Sequence, residues 1–199
     1  MCLLITQTVN SPILDDDSLI DFYQYNPDGI GVMYEKNKRL IIKKLLPRSP
    51  IEIVDFYKSN IQGKACAFHL RMRTHGDIDI SNCHPYEVLN ESDHGIDMYL
   101  MHNGVLRSGN SKDTSKSDTY HFIQDHLKPL LVENPDYAFT DEFIRIVGNE
   151  IGNSNKFVLM DNLGRQSIVN ENRGVFWQER WFSNTYAWTT PDELFRRHY

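Results

Sequence analysis

The chain has 199 residues, of which 40% are hydrophobic and 24% charged, and its formal net charge at pH 7 is −6. That length suits one substantial hydrophobic core and is short for two complete enzyme domains, so we expect a single domain over residues 1–199. The acidic balance disfavours a nucleic-acid-binding protein, which usually carries a basic face. No stretch approaches the ~18 consecutive apolar residues of a membrane span.

The predicted elements of the first half alternate between strands and helices. A helix over residues 15–24 begins with acidic side chains, which the helix dipole favours. A second helix begins at Ser49, where Pro50 and Glu52 complete a capping box with proline in the first helical position. Strands, two of them joined by a turn at residues 36–38, are predicted at residues 2–9, 29–34, 40–45, 64–73 and 97–103.

The second half begins with a polar segment. Residues 107–117 contain no apolar side chain, which predicts a surface loop. After it, helices are predicted over residues 117–126 and 140–152 and from residue 190 onwards, and strands at residues 156–161, 166–169 and 174–177. From periodicity alone, this order of elements predicts the α+β class.

Cys2 stands directly behind the initiator Met1. Methionine aminopeptidase removes Met1 when the second residue is small, and the mature chain would then begin with a residue that carries both a thiol and a free α-amine. These groups titrate near pH ~8.5 and ~8, so each can act near neutrality. An N-terminal amine that serves as base for an adjacent nucleophile is a known form of activation. Alone, however, a cysteine at position 2 is weak evidence, because many proteins carry one by chance.

Further motifs strengthen this interpretation. They are NPDGIGVMY at residues 26–34, HLRMRTHG at 69–76, NCHP at 82–85, MHNGV at 101–105 and SDT at 117–119. With MCLL at the start of the chain, they resemble the class II glutamine amidotransferase domain of the N-terminal-nucleophile (Ntn) hydrolases. The resemblance is closest to the free-standing, single-domain members. It runs in the family's order to about residue 120, and Asn184 in a Ser-Asn pair suits the family's late strand.

The resemblance implies a fold and a set of roles. The fold is a four-layer αββα sandwich of two mainly antiparallel sheets. Cys2 would attack the glutamine side-chain amide and form a thioester while its own amine carries the proton. Asn103 and the backbone N–H of Gly104 would hold the oxyanion, and a side chain at position 104 would crowd the substrate carbonyl.

The resemblance also implies a binding site for the amino-acid end of glutamine. Arg71 would bind the α-carboxylate through its planar fork, and Asp118 the α-ammonium. Thr74, His75 and Gly76 would shape the floor of the pocket. The sequence departs from the family pattern at three positions near these residues, where many members have tryptophan, a small residue and alanine: Met72, Arg73 and Cys83.

Several residues allow alternative interpretations. Five of the eight histidines lie between positions 69 and 102, yet zinc-ligand spacing is lacking, so we expect no metal and interpret them as polar residues that line the pocket. Cys66 and Cys83 are better explained as inert interior cysteines than as nucleophiles. Aromatic residues at 177, 181, 182 and 188 indicate core or a partner surface rather than a ligand site. Residues 107–117 are either a solvated linker or a lid over the substrate.

Three functions remain open. The first is a glutaminase domain that supplies ammonia to a separate synthetase, since the chain has no Walker-type loop and little sequence for an acceptor domain. The second is a self-sufficient hydrolase of a γ-glutamyl compound, and the third is a non-catalytic binding protein. We expect no cofactor, a synthetase partner or a homo-oligomer, and no membrane or nucleic-acid partner. Three cysteines without framework spacing, and no signal peptide, predict a cytoplasmic location.

Overall fold

The computed structural model describes residues 2–74, 76–106 and 113–187. Ten strands lie in this part of the chain: β1 Leu3–Gln7, β2 Ile30–Lys36, β3 Arg39–Leu45, β4 Cys66–Leu70, β5 Tyr86–Leu89, β6 Met98–Asn103, β7 Lys156–Asp161, β8 Gln166–Val169, β9 Val175–Trp177 and β10 Arg180–Phe182. The α-helices are α1 Asp16–Tyr25, α2 Pro50–Asn60, α3 Glu91–His94, α4 Asp118–Phe122, α5 Lys128–Leu131 and α6 Asp141–Ile151.

The strands form two antiparallel sheets. The first has the order β3-β2-β4-β1-β10-β9 and the second the order β5-β6-β7-β8. In the first sheet β1 is central, because it pairs with β4 on one side and β10 on the other. All five residues of β1 are buried. A strand covered on both faces and paired at both edges is a rigid support for the residue that precedes it.

Three apolar clusters separate four layers. Between the first sheet and helices α1 and α2 lies a cluster that includes Leu19, Ile53 and Phe68. Between the second sheet and helices α4 to α6 lies another, which includes Phe143 and Phe157. The third cluster fills the space between the sheets: Leu4, Met33, Ala67, Met101, Val158, Met160 and Trp181. The α+β class and the two antiparallel sheets of the predicted sandwich are therefore confirmed, with helices on both outer faces.

The predicted helix starts also match the structure. Asp15, Ser49 and Thr140 each accept a hydrogen bond from a backbone N–H in the first turn of α1, α2 and α6. Such a cap satisfies one of the N–H groups that the helix leaves without an intrahelical partner. Helix α6 ends at Gly152, whose φ of +75° suits a glycine. Local capping chemistry therefore defines these three helices.

Some predicted boundaries were wrong. The strand expected over residues 64–73 ends at Leu70, so Arg71 and Arg73 lie outside the strand and its alternation of side chains between the two faces. The helix expected to end at His126 continues through a π-helical turn, Ile123–Leu127, into α5. Strands β5 and β10 and helix α3 had not been predicted. The helix predicted from residue 190 onwards lies outside the described residues. In the described part of the chain, no helix is long and apolar enough to cross a membrane.

Candidate active site

The backbone of Cys2 is held by residues that follow β10. Asn184 donates from Nδ2 to the carbonyl oxygen of Cys2 at 2.8 Å. Ser183 accepts the N–H of Leu4 on Oγ at 3.0 Å and donates its own N–H to the Leu4 carbonyl at 2.8 Å. These bonds extend the pairing of β1 with β10, so the segment from Cys2 to Leu4 has a fixed direction.

The Cys2 thiol is half-buried and lies against Met72. Its Sγ is 3.4 Å from both the backbone nitrogen and the carbonyl oxygen of Met72. Burial raises the pKa of the thiol, while the Met72 backbone contact and the nearby Arg71 guanidinium lower it and Asp118 raises it. The net direction is upward, so the surroundings do not make Cys2 a thiolate by themselves. Nucleophilic chemistry at this thiol therefore needs a base.

A small cleft opens at the thiol. Five of the eight predicted site residues line it: Cys2, Arg71, Thr74, Gly104 and Asp118. They come from the ends of β1, β4 and β6 and from the start of α4, segments that are far apart in sequence. The remaining lining residues are Met72, Asn82, His84, His102, Ser117 and Thr119. The two sheets and α4 thus bring a thiol, a guanidinium and a carboxylate into one pocket.

Arg71 is fixed through its backbone and its side chain. It follows β4 directly; its N–H donates to the carbonyl of Gly29 at 2.8 Å, and its carbonyl accepts the N–H of Asp28 at 3.0 Å. Its Nη1 donates to the carbonyl oxygen of Asp77 at 3.0 Å. The side chain is 4% exposed. A buried guanidinium at a cleft is a strong attractant for a carboxylate, because the surroundings screen its charge poorly.

Asp118 is the first residue of α4. Its Oδ2 accepts the backbone N–H of Leu106 at 2.7 Å, and its Oδ1 accepts that of Thr119 at 2.8 Å. The preceding N-cap, Ser117, accepts from Tyr120 N–H at 3.2 Å and donates to the hydroxyl of Tyr86 at 2.8 Å. The Asp118 carboxylate is therefore oriented by two N–H donors, one on each oxygen, at the edge of the cleft.

Asn103 is the last residue of β6 and Gly104 follows it, but the two differ in position. Gly104 lines the cleft, whereas the buried Asn103 does not, and its Nδ2 donates to Ser183 Oγ at 2.6 Å. Gly104 has a φ of +144°, and a Cβ built on it would lie 2.1 Å from Oδ1 of Asn155. The sequence-based reason for glycine, crowding of the substrate carbonyl, was therefore incomplete: backbone conformation and the Asn155 side chain require it as well.

The other predicted floor residues do not all reach the cleft. Gly76 lies outside the lining, where a Cβ would approach the backbone nitrogen of Ser117 to 3.0 Å. His75 lies outside the described residues, as do residues 107–112 of the predicted lid. Residues 113–117 of that segment are held by hydrogen bonds to the rest of the fold. The carbonyl of Ser115 accepts from Asp77 N–H at 3.1 Å and from Asn82 Nδ2 at 2.8 Å.

Three buried histidines stand between the sheets beside the thiol. The ring centroids of His69 and His84 are 4.2 Å apart, and those of His84 and His102 are 6.3 Å apart. Burial, reinforced by the neighbouring histidines, lowers the pKa of His69 to about 3 and that of His84 well below its usual value. Two of them, His84 and His102, line the cleft as neutral polar groups.

The alternative sites have less support. Within residues 2–74, 76–106 and 113–187, no group of three or more His, Cys, Asp or Glu side chains is arranged to hold a metal ion. Cys66 is buried in the outer core of the first sheet, and burial raises the pKa of its thiol to about 12. Trp181 and Phe182 are fully buried core residues, whereas Trp188 lies outside the described residues.

Asn155, which contacts both Gly104 and His102, was missed by the sequence analysis. It precedes β7 and belongs to no motif of the resemblance. Thr119 and His102 lay within recognised motifs, but nothing in the sequence showed that their side chains bond to each other. A long-range contact between a strand end and a helix start has no local sequence signal.

Solved structures share the fold of this chain. One, described as the allosteric regulatory enzyme of purine biosynthesis, matches with a TM-score of 0.54 and 16% identity, over 94% of this chain and 42% of that one. The glutamine phosphoribosylpyrophosphate amidotransferase from B. subtilis, complexed with ADP and GMP, matches with a TM-score of 0.50 and 15% identity, over the same shares of the two chains. This chain has the Ntn-hydrolase fold.

The Ntn-hydrolase fold covers nearly the whole chain, but the chain spans less than half the length of either neighbour. At these identities the likeness concerns the fold alone. No protein-family model and no curated protein matches the sequence. What this Ntn-hydrolase fold does must therefore be argued from the residues of the cleft.

Proposed function

We propose that this chain is a glutamine amidotransferase domain that hydrolyses the glutamine side-chain amide through an N-terminal cysteine. The observation that carries the proposal is the single cleft in which Cys2, Arg71, Gly104 and Asp118 meet. A nucleophile, an oxyanion-binding backbone and two opposite charges are the groups that this reaction on an amino-acid amide needs. We include Asn103, Thr74, His75 and Gly76 in the site on the strength of the sequence motifs.

The reaction follows from the state of the thiol. After loss of Met1, the α-amine of Cys2 takes the thiol proton, which the raised pKa of the thiol otherwise retains at neutral pH. The sulfur attacks the amide carbon, and the C–N bond breaks as the amine returns the proton to the leaving nitrogen. Ammonia leaves and a thioester remains. Water then attacks the thioester, and the products are glutamate and the free thiol.

The remaining groups of the cleft have separate roles. Gly104 N–H and the Asn103 side chain stabilise the oxygen that becomes negative in the tetrahedral intermediate. Arg71 binds the α-carboxylate and Asp118 the α-ammonium, so the amino-acid end is held by opposite charges on either side of the cleft. The two ends of the substrate are thereby fixed relative to the sulfur, which lowers the entropic cost of reaching the transition state.

The proposal extends to the setting of the enzyme. We place residues 1–199 in one domain, because the cleft requires Asn184 as well as Cys2. Ammonia would pass to a separate acceptor enzyme, with which the chain associates, or the chain would act as a homo-oligomer. We place it in the cytoplasm, since Cys2, Cys66 and Cys83 are all free thiols.

Hydrolysis assays test the proposal directly. The purified protein is incubated with glutamine and, separately, with γ-glutamyl peptides, and glutamate, ammonia and free amine are measured. We expect glutamate and ammonia from glutamine, at a slow rate without a partner, and none from a Cys2→Ala variant. Cleavage of γ-glutamyl peptides with glutamine ignored would establish the self-sufficient hydrolase. No cleavage by any fully processed preparation, with binding retained, would leave the non-catalytic function.

A further inference from the structure

A line of hydrogen bonds connects Thr119 and His102 in the cleft to Asn155, which packs on Gly104, the residue after β6. We propose that Asn155, His102 and Thr119 form a positioning chain, a line of hydrogen-bonded side chains that holds Asp118 and Gly104 in place in the cleft. This inference rests on the proposed function, in which Asp118 and Gly104 bind the substrate. The positioning chain consists of two hydrogen bonds: His102 Nε2 is 2.9 Å from Asn155 Oδ1, and His102 Nδ1 is 2.8 Å from Thr119 Oγ1. All three side chains are buried.

The direction of each bond follows from Asn155. Its Nδ2 donates to the carbonyl of Ile151 at 2.6 Å, so Oδ1 is the atom that faces His102, and an amide oxygen can only accept. His102 Nε2 therefore carries hydrogen. Burial lowers the pKa of His102 and keeps the ring neutral, so Nδ1 is bare and accepts the hydroxyl hydrogen of Thr119.

At the Thr119 end, the positioning chain sets the substrate-facing carboxylate. The Thr119 hydroxyl has two acceptors within reach, His102 Nδ1 at 2.8 Å and Asp118 Oδ1 at 3.4 Å, and its single hydrogen goes to the nearer one, which fixes this residue in the first turn of α4. The backbone N–H of Thr119 then donates to Asp118 Oδ1 at 2.8 Å, while Leu106 N–H holds Oδ2. Freeing the hydroxyl would let the start of α4 shift, and the carboxylate would move with it.

At the Asn155 end, the same chain fixes Gly104. The Oδ1 of Asn155 lies where a Cβ of Gly104 would stand, 2.1 Å from the ideal position, so the amide packs directly on the glycine. Asn170 holds Asn155 in turn, because its Nδ2 donates to the Asn155 carbonyl at 2.8 Å. The positioning chain therefore links Asp118, which we propose binds the ammonium, to Gly104, which we propose binds the oxyanion.

Two substitutions of His102 separate positioning from mere packing. In His102→Asn, the amide oxygen takes the place of Nδ1 and still accepts from Thr119. In His102→Gln, the amide nitrogen takes the place of Nε2 and still donates to Asn155, but Thr119 loses its acceptor. We expect His102→Gln and Thr119→Val to raise KM for glutamine about tenfold with kcat within about twofold, and His102→Asn to restore KM to within about threefold of wild type.

A matched control is Ser167→Ala, which removes a buried hydroxyl that has no partner among the described residues. It should leave KM and kcat unchanged. An unchanged KM in Thr119→Val, or an equal rise in the two His102 variants, would overturn the positioning chain. If the variants fail to fold, the nitrogen-15 NMR spectrum of the histidines in the wild-type protein tests the proposal through the tautomer of His102. Nε2 should be protonated and Nδ1 bare, and the opposite tautomer would overturn the proposal. Wild-type protein that does not cleave glutamine defeats the proposed function instead.

Discussion

Asn184 holds Cys2 by its main chain: the Asn184 Nδ2 lies 2.8 Å from the Cys2 carbonyl oxygen, across 182 residues of sequence. The bond leaves the thiol and the α-amine of Cys2 unused. In the proposed mechanism Cys2 is both nucleophile and base, and an anchor at its carbonyl and at the strand that follows keeps both groups available. The sequence after β10 therefore contributes to the cleft as directly as the motifs near the start of the chain.

Arg71 and Asp118 should act mainly on substrate binding. A neutral replacement at either position removes a charge-assisted contact, commonly worth ~1.5–3 kcal/mol, so Arg71→Gln and Asp118→Asn should raise KM for glutamine by one to two orders of magnitude. Steady-state kinetics measure the effect, and thermal unfolding checks that the buried Arg71 variant stays folded. A large fall in kcat at unchanged KM would contradict the binding role.

Asn103→Ala should lower kcat about 10²-fold to 10³-fold with little change in KM, because an oxyanion contact strengthens only as the negative charge forms. Ser183→Ala should lower kcat by less, since it removes only the group that orients the Asn103 amide at 2.6 Å. Saturation kinetics on both variants provide the comparison. A raised KM with normal kcat in Asn103→Ala would show that the amide contacts the ground state instead.

Gly104→Ala should destabilise the protein far more than a replacement at a glycine with open space around it. Its φ is +144° and the new Cβ would collide with Asn155. Gly63 is a matched control: its φ is +71° and a Cβ there has no atom within 4 Å, so Gly63→Ala should cost about 1–2 kcal/mol of backbone strain alone. Urea unfolding of both variants measures the difference, and equal losses would mean that Asn155 does not confine Gly104.

His69 should make the fold sensitive to acid. Its pKa is about 3 in the folded chain and ~6.5 when unfolded, so only the unfolded chain takes up the proton between these values. The stability from this group is complete above about pH 6.5 and is lost as the pH falls towards 3, at ~1.4 kcal/mol per pH unit. Urea unfolding at several pH values between 6.5 and 4.5 should show a shallower dependence for His69→Gln than for wild type. Parallel curves would contradict the buried, neutral state.

The sequence predicted the parts of this fold that have local signals. The capping box at Ser49 was recognised, and helix starts were placed at Asp15 and Thr140, because the signals that begin a helix lie within a few residues. Strands β5 and β10 were missed because they are short and gain their pairing from β6 and β1 rather than from their own pattern. Strands β5 and β10 therefore depend on tertiary context, and sequence periodicity could not predict them.

The site was predictable for a similar reason, and only in part. Motifs identified the residues that lie at the ends of elements, such as Arg71 after β4 and Asp118 at the start of α4. They gave no information on Asn155, and the Ser-Asn pair at 183–184 did not show that Ser183 contacts Asn103, because both residues act through contacts far away in the chain. The position of Asn103 outside the cleft lining likewise depends on Ser183, which is 80 residues away. Contacts of this kind are defined only when the two sheets are packed together.

One measurement tests the central claim most directly. Protein made in cells with active methionine aminopeptidase is treated with a glutamine-mimicking electrophile, and intact mass and peptide mapping locate the adduct. The account predicts a chain that begins at Cys2 and one adduct per molecule, on Cys2. Cys66→Ala and Cys83→Ala should label normally, since burial raises the pKa of both of these thiols. A retained Met1 on fully active protein, or an adduct on Cys66 or Cys83, would contradict the N-terminal nucleophile.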